Sequence, residues 1–187
     1  MASRRFSQAI SEGDGISVIV AVQDAAGARD AEAQGAEAIV VRDAFDGLRE
    51  ATELPILWLA QGSPGAGARA GADACVVRAG DELAAGHREA VELGLDLVIQ
   101  VGNEEELEEV LDGPDPEIFL LAPEAENDDW DSTFDLLASI PAGKLAIAAF
   151  PAPSREQVIE LERAGVDAVI VGARNVAELV GDAPPQV

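Results

Sequence analysis

One phrase occurs four times along the chain: QGAEAIVV at 34–41, AGADACVV at 70–77, LGLDLVIQV at 93–101 and AGVDAVIVG at 164–172. Each holds a glycine, an acidic residue two places on, and then an apolar run rich in β-branched residues. That is the pattern expected where a helix ends on a glycine and a strand begins. A unit of helix, glycine turn and strand therefore repeats. Four more apolar runs lie between these: ISVIVAV (16–22), PILWLA (55–60), EIFLLA (117–122) and KLAIAAF (144–150). Eight strands spaced about 18 to 27 residues apart, with helical segments between them, meet the needs of a parallel βα repeat.

The count predicts a (β/α)8 barrel, a TIM barrel, as a single domain over residues 1–187, with the tail 182–187 frayed. Length weighs the other way, because such barrels usually run to about 250 residues and seldom below about 200. An open doubly wound sheet with two strands misread is the rival fold. Helix starts agree with the repeat. NEEE (103–106), STFD (132–135) and SREQ (154–157) each place a short polar residue three before an acidic or amide one, the capping-box pattern.

Composition narrows the function classes. Thirty-six acidic residues against twelve basic ones give a formal charge of −24. Such a field repels nucleic acid and anionic membranes, so neither is expected as a partner. It should also make the fold salt-sensitive. No run of about 18 apolar residues is present to span a bilayer, and the arginines of MASRRFSQAISEGDG precede no apolar segment of the kind a signal peptide needs. A cytoplasmic protein is expected. Cys75, the one cysteine, lies in the apolar run ACVV and reads as a packed thiol.

In a barrel, chemistry sits at the C-terminal ends of the strands. Those positions supply Gln23, Arg42, Asp43, Gln61, Arg78, Gln100, Glu124 and Arg174, a set rich in hydrogen-bond donors. The arginines are suited to clamping a carboxylate or phosphate, or else they pair with Asp43, Asp81 and Glu124 as a solvated rim. Gly172, ahead of ARNVAELV, either offers helix amides to an anion or simply permits a turn. The loop PEAENDDWDS (123–132) lacks the glycine and spacing of an EF-hand and reads as a cap, with Asp131 or Ser132 starting the next helix. His87 is the sole histidine and has no companion ligands, so no metal site and no cofactor are expected. The acidic run 104–109 reads as a solvated helix face with Leu107, Val110 and Leu111 turned inward.

Several segments, in order, resemble the indole-3-glycerol-phosphate synthases of tryptophan biosynthesis: FSQAI, SVIVAVQ, LPILWLAQ, AGADACVV, LGLDLVIQVGNEEELEEVL and SREQVIELERAGVDAVIVG. The resemblance spans about residues 6–181. It implies a minimal (β/α)8 barrel without the family's usual N-terminal extension, and a lyase that closes and decarboxylates a carboxyphenylamino deoxyribulose phosphate. The family's catalytic positions are changed here. Ala21 and Gln23 stand for the first-strand glutamate and lysine, Leu59 and Ala60 for the third-strand lysine and aspartate, and Gln100 for the fifth-strand glutamate. Ala122, Pro123 and Glu124 fall where an asparagine and an arginine are usual. Ala149, Phe150 and Pro151 replace a glutamate, serine and glycine. Gly172 is kept, Arg174 replaces a phosphate-binding serine, and DAAGARDA is shorter than the family's first loop.

Losing a general acid removes roughly 10²- to 10⁴-fold and an electrostatic stabiliser about 10²- to 10³-fold, so little activity should survive. Lys144, the only lysine, precedes the seventh strand and cannot reach the mouth. The expectation is a non-catalytic barrel with no catalytic residues, binding a small anionic ligand through Gln23, Arg42, Arg78, Gln100, Gly172 and Arg174, or else a protein partner. The alternatives are the family reaction, or a related lyase, run by an altered mouth, and a barrel with a purely structural role.

Overall fold

The computed structural model describes residues 4–12, 15–59, 63–80, 83–122, 130–150, 153–173 and 176–179. Eight parallel strands run in chain order: β1 (Ser17–Ala21), β2 (Ala38–Val41), β3 (Ile56–Trp58), β4 (Ala74–Arg78), β5 (Asp96–Val101), β6 (Ile118–Leu121), β7 (Leu145–Ala149) and β8 (Ala168–Val171). Each pairs with the next, and β8 pairs with β1, Ser17 lying opposite Ala168. This closure excludes the open sheet. All eight expected strands are present, and the short chain suffices because several parts are short. β3 has 3 residues, and two of the helices, α3 (Leu48–Ala51) and α9 (Val176–Leu179), have 4 each.

The remaining helices are α1 (Arg5–Ser11), α2 (Ala25–Ala33), α4 (Pro64–Arg69), α5 (Leu83–Leu93), α6 (Glu104–Asp112), α7 (Trp130–Ser139) and α8 (Arg155–Ala164). Alternate strand residues point to opposite faces. One set, including Ile19, Val40, Leu57, Val98, Ile147 and Ile170, fills the barrel interior. The other, including Val20, Val41, Trp58, Cys75, Ile99 and Phe119, packs outward under the helices. Both faces are buried, so the strands read as continuous apolar runs rather than alternating ones. Phe6 and Ile10 of α1 join the interior cluster and plug its N-terminal end.

The structure explains the repeated phrase. Gly35, Gly71, Gly94 and Gly165 all have positive φ, between 71° and 99°. The next amide in each case bonds back to a carbonyl five residues earlier: Ala36 to Ala31, Ala72 to Gly67, Leu95 to Ala90 and Val166 to Leu161, at 3.0–3.1 Å. These are Schellman closures, which satisfy helix-end carbonyls. The acidic residue that follows takes a free amide of an adjacent element. Val18 N donates to Glu37 Oε2 at 2.6 Å, Ile56 N to Asp73 Oδ2 at 2.9 Å and Ala146 N to Asp167 Oδ2 at 2.7 Å. The fourth, Asp96, accepts from Ser7 N of the plug helix at 2.9 Å.

Capping is confirmed at two of the three expected starts. Ser154 and Gln157 form the full reciprocal box. Asn103 Oδ1 accepts from Glu106 N at 2.9 Å, but Glu106 returns its bond to Gly102 N at 2.6 Å, one residue early. The third is corrected. Helix α7 already includes Trp130 and Asp131, so neither Asp131 nor Ser132 starts it. Trp130 stacks on Phe150 with ring centroids 4.2 Å apart, and this contact sets the upstream part of the helix. Residues 123–129, with Pro123 and Glu124, lie outside the described residues, as do Ala60, Gln61, Asp81, Pro151, Arg174 and the tail 182–187.

Cys75 is fully buried, and burial pushes its thiol pKa up to about 12. It is a packing residue. Leu107 and Val110 face the core as expected, and Leu111 packs against the same cluster while partly exposed.

Candidate functional site: the barrel mouth

Strand parity decides which side chains reach the mouth. Val40, Val76 and Val98 point inward, so Arg42, Arg78 and Gln100, two residues further along, point inward at the rim. Arg78 lies directly across from Gln100 in the β4–β5 ladder. All three line a cavity of about 930 Å³. Its floor is apolar, with Val76 and Leu120 below and Leu59, Ala122 and Ala149 at the remaining strand ends.

Among the described residues no carboxylate lies within ion-pairing distance of Arg42 or Arg78. Asp43 follows Arg42 directly and does not pair with it. The solvated-rim reading therefore fails for Asp43, while Asp81 and Glu124 lie outside the described residues. Glu89 of α5 also reaches this cavity, but its Oε1 accepts from Gly65 N at 3.1 Å.

The expected site residues divide between two cavities. Gln23 and Gly172 line a separate space of about 1030 Å³ between the ends of β8 and β1 and the starts of α2 and α8. Among the described residues three carboxylates, Asp24, Glu156 and Glu178, border it against one guanidinium, Arg155. Asp24 caps α2 by accepting from Gly27 N at 2.8 Å. Hydrogen bonds from its own backbone amide and from Ser154 hold the Glu156 carboxyl below its ordinary range. Of the six residues, the structure brings together Arg42, Arg78 and Gln100.

A smaller polar recess of about 270 Å³ opens beside the mouth, sharing Arg78, Gln100 and Ala122 with the main cavity and adding Gly102 and Glu106. Glu106 was the residue that sequence reasoning missed. The signal was its place three after Asn103, on the first turn of α6 and only a few residues beyond Gln100.

Trp58 does not belong to the site. It turns outward beneath α4, 6% exposed, where a Cβ on Gly67 would lie 2.8 Å from its Cγ. Its indole Nε1 is buried with no hydrogen-bond partner. Lys144 lies at the opposite end of the barrel, its Nζ 2.7 Å from Asp115 Oδ1. His87 sits half-buried on α5, and no group of three or more metal-ligating side chains occurs among the described residues. No helix among them is long and apolar enough to cross a membrane.

No family model and no curated protein matches the chain. Solved structures do. A mutant tryptophan synthase α-subunit from the hyperthermophile Pyrococcus furiosus superposes with a TM-score of 0.66 at 17% identity, covering 90% of this chain and 98% of that one. The N-acetylmannosamine-6-phosphate 2-epimerase of Clostridium perfringens gives 0.70 at 15% identity, covering 87% of each chain. At these identities the likeness establishes the fold, a TIM barrel.

Proposed function

We propose that this chain is a divergent indole-3-glycerol-phosphate synthase-like barrel whose mouth binds a small organic anion without performing the family's ring closure. The observation that carries this reading is the pair Arg42 and Arg78, set with Gln100 on one cavity and in ion pairs with no described carboxylate. In a protein of charge −24, two inward guanidiniums left unneutralised are positioned for an incoming negative group. The other strand ends argue against catalysis. Leu59, Ala122 and Ala149 carry no proton to give or take, and the only lysine is at the far end.

The same charge sets nucleic acid and anionic membranes aside as partners. A cytoplasmic location belongs to this proposal, and cell fractionation tests it. One observation favours the alternative of an altered lyase: Glu106 brings a carboxylate to the recess beside Arg78, where the strand ends supply none.

Calorimetric titration with short organic carboxylates and phosphate esters tests the binding. A charged hydrogen bond contributes about 1.5–3 kcal/mol, so Arg78→Gln should weaken the best ligand roughly tenfold or more. Equal affinity in wild type and Arg78→Gln would remove the anion site. A fluorescence assay for indole-3-glycerol phosphate with concentrated wild-type protein tests the other half. Turnover above background would establish the alternative.

A further inference from the structure

The recess beside the mouth carries opposite charges that do not neutralise one another. Arg78 and Glu106 both line a space of about 270 Å³, yet no ion pair joins them. In so small a space an arginine and a glutamate would ordinarily close on each other, since bidentate pairing is favourable for a guanidinium. Arg78 ends a strand whose hydrogen bonds to β5 fix its backbone, with Arg78 directly opposite Gln100. Glu106 is held from the other side, its amide donating to Asn103 Oδ1 and its Oε2 accepting from Gly102 N at 2.6 Å. One carboxylate oxygen is thereby engaged and Oε1 is left for another donor. Gln100, which also lines the recess, offers both an amide N–H and a carbonyl.

Resting on the anion-binding reading above, we infer that the ligand carries a positive group beside its negative one. The chemical class is an α-amino acid or a similar zwitterion, with its carboxylate on Arg78 and its ammonium on Glu106. The apolar floor of the adjoining cavity, Val76, Leu120 and Leu59, takes an aliphatic or aromatic body. A plain anion would leave Glu106 facing a like charge across the recess. A plain cation would leave Arg78 unmatched. The zwitterion gives each of the two charged groups of the recess, Arg78 and Glu106, an opposite charge, while Arg42 and Glu89 border the adjoining cavity.

Three probes of matched length separate these cases on the full chain: norleucine, hexanoate, which lacks the ammonium, and pentylamine, which lacks the carboxylate. Norleucine should bind roughly tenfold tighter than hexanoate, and pentylamine weakest of all. Glu106→Gln keeps an acceptor for Gly102 N and removes only the charge. It should bring norleucine down to the level of hexanoate and leave hexanoate unweakened, with an unchanged melting temperature showing an intact fold. If hexanoate equals or exceeds norleucine, or Glu106→Gln leaves norleucine unaffected, the zwitterion inference is overturned while the anion site stands. If neither carboxylate binds, both readings fall.

Discussion

The two ends of this barrel treat charge in opposite ways. The described ion pairs all lie at the N-terminal end: Arg4 with Glu117, Arg5 with Glu53 and Asp73, Arg49 with Asp73, and Lys144 with Asp115. Carboxylates there also take the strand amides of Val18, Ile56 and Ala146. At the C-terminal end, Arg42 and Arg78 have no such partners among the described residues and face open space. The first end is built to hold the sheet together and the second to meet something else, the division expected of barrels of this kind. Counting charges over the whole chain conceals it.

The largest effect that would sharpen this contrast is at Asp73. Its Oδ2 accepts from Ile56 N at 2.9 Å and from Arg49 at 3.0 Å, and the side chain is only 13% exposed. Asp73→Ala leaves the buried Ile56 amide unsatisfied and takes the charge partner from Arg49, which keeps only its bonds to the Thr52 and Leu54 carbonyls, a loss of about 2–4 kcal/mol. Arg78→Gln at the mouth should change stability by about 0.5 kcal/mol or less. Urea unfolding of both variants checks this, and equal destabilisation would break the division between the ends.

A middle-sized effect comes from pH. Burial is the main cause that raises the carboxyl pKa values of Glu37, Asp96 and Asp167, outweighing the backbone hydrogen bonds that lower them. The native state then holds protons where the unfolded chain has released them. The stability tied to these groups is full below the ordinary carboxylate range, about 4, and is lost as pH rises through the raised values. The melting temperature should therefore be higher just above the ordinary carboxylate range than at neutral pH. Glu156 has the opposite sign but sits exposed on the surface. Molar salt, which screens the excess surface charge, should raise the melting temperature at both pH values. It should leave much of the pH difference in place, because buried groups are screened less. A melting temperature that is flat or rises with pH would show that the carboxylates of the N-terminal end impose no burial cost.

The smallest effect is at Trp58, which belongs to neither end. Trp58→Phe removes a buried, unpartnered N–H at the cost of some ring volume. The two changes oppose each other, and the net should stay within about 1 kcal/mol of wild type by thermal melting. A loss of several kcal/mol would mean the indole nitrogen is bonded in solution.

The strands were legible because their central residues are buried on both faces and apolar, and because every Schellman glycine marks where a helix stops. The acidic residue in the repeat was visible as a pattern, but its role was not. Glu37 bonds to Val18, 19 residues earlier and on another strand, and no local periodicity reports such a contact. At the mouth, parity along the strands accounts for Arg42, Arg78 and Gln100 sharing one cavity. It could not show that Gln23 and Gly172 open onto a different cavity, because parity gives inside or outside and not position around the ring. Glu106 was hidden in a run of glutamates that reads as a solvated helix face. Its one-residue shift in capping, to Gly102 rather than Asn103, turns it toward the recess.

The carboxylate caps also bear on the order in which the chain is made. The amide of Val18 waits for Glu37, that of Ile56 for Asp73, and that of Ala146 for Asp167, partners that lie 19, 17 and 21 residues later in the sequence. A chain emerging from the ribosome cannot finish the edge of one strand until the helix and glycine turn that follow it have been synthesised. Cotranslational folding would then advance in paired steps, β1 with β2, β3 with β4 and β7 with β8, rather than strand by strand.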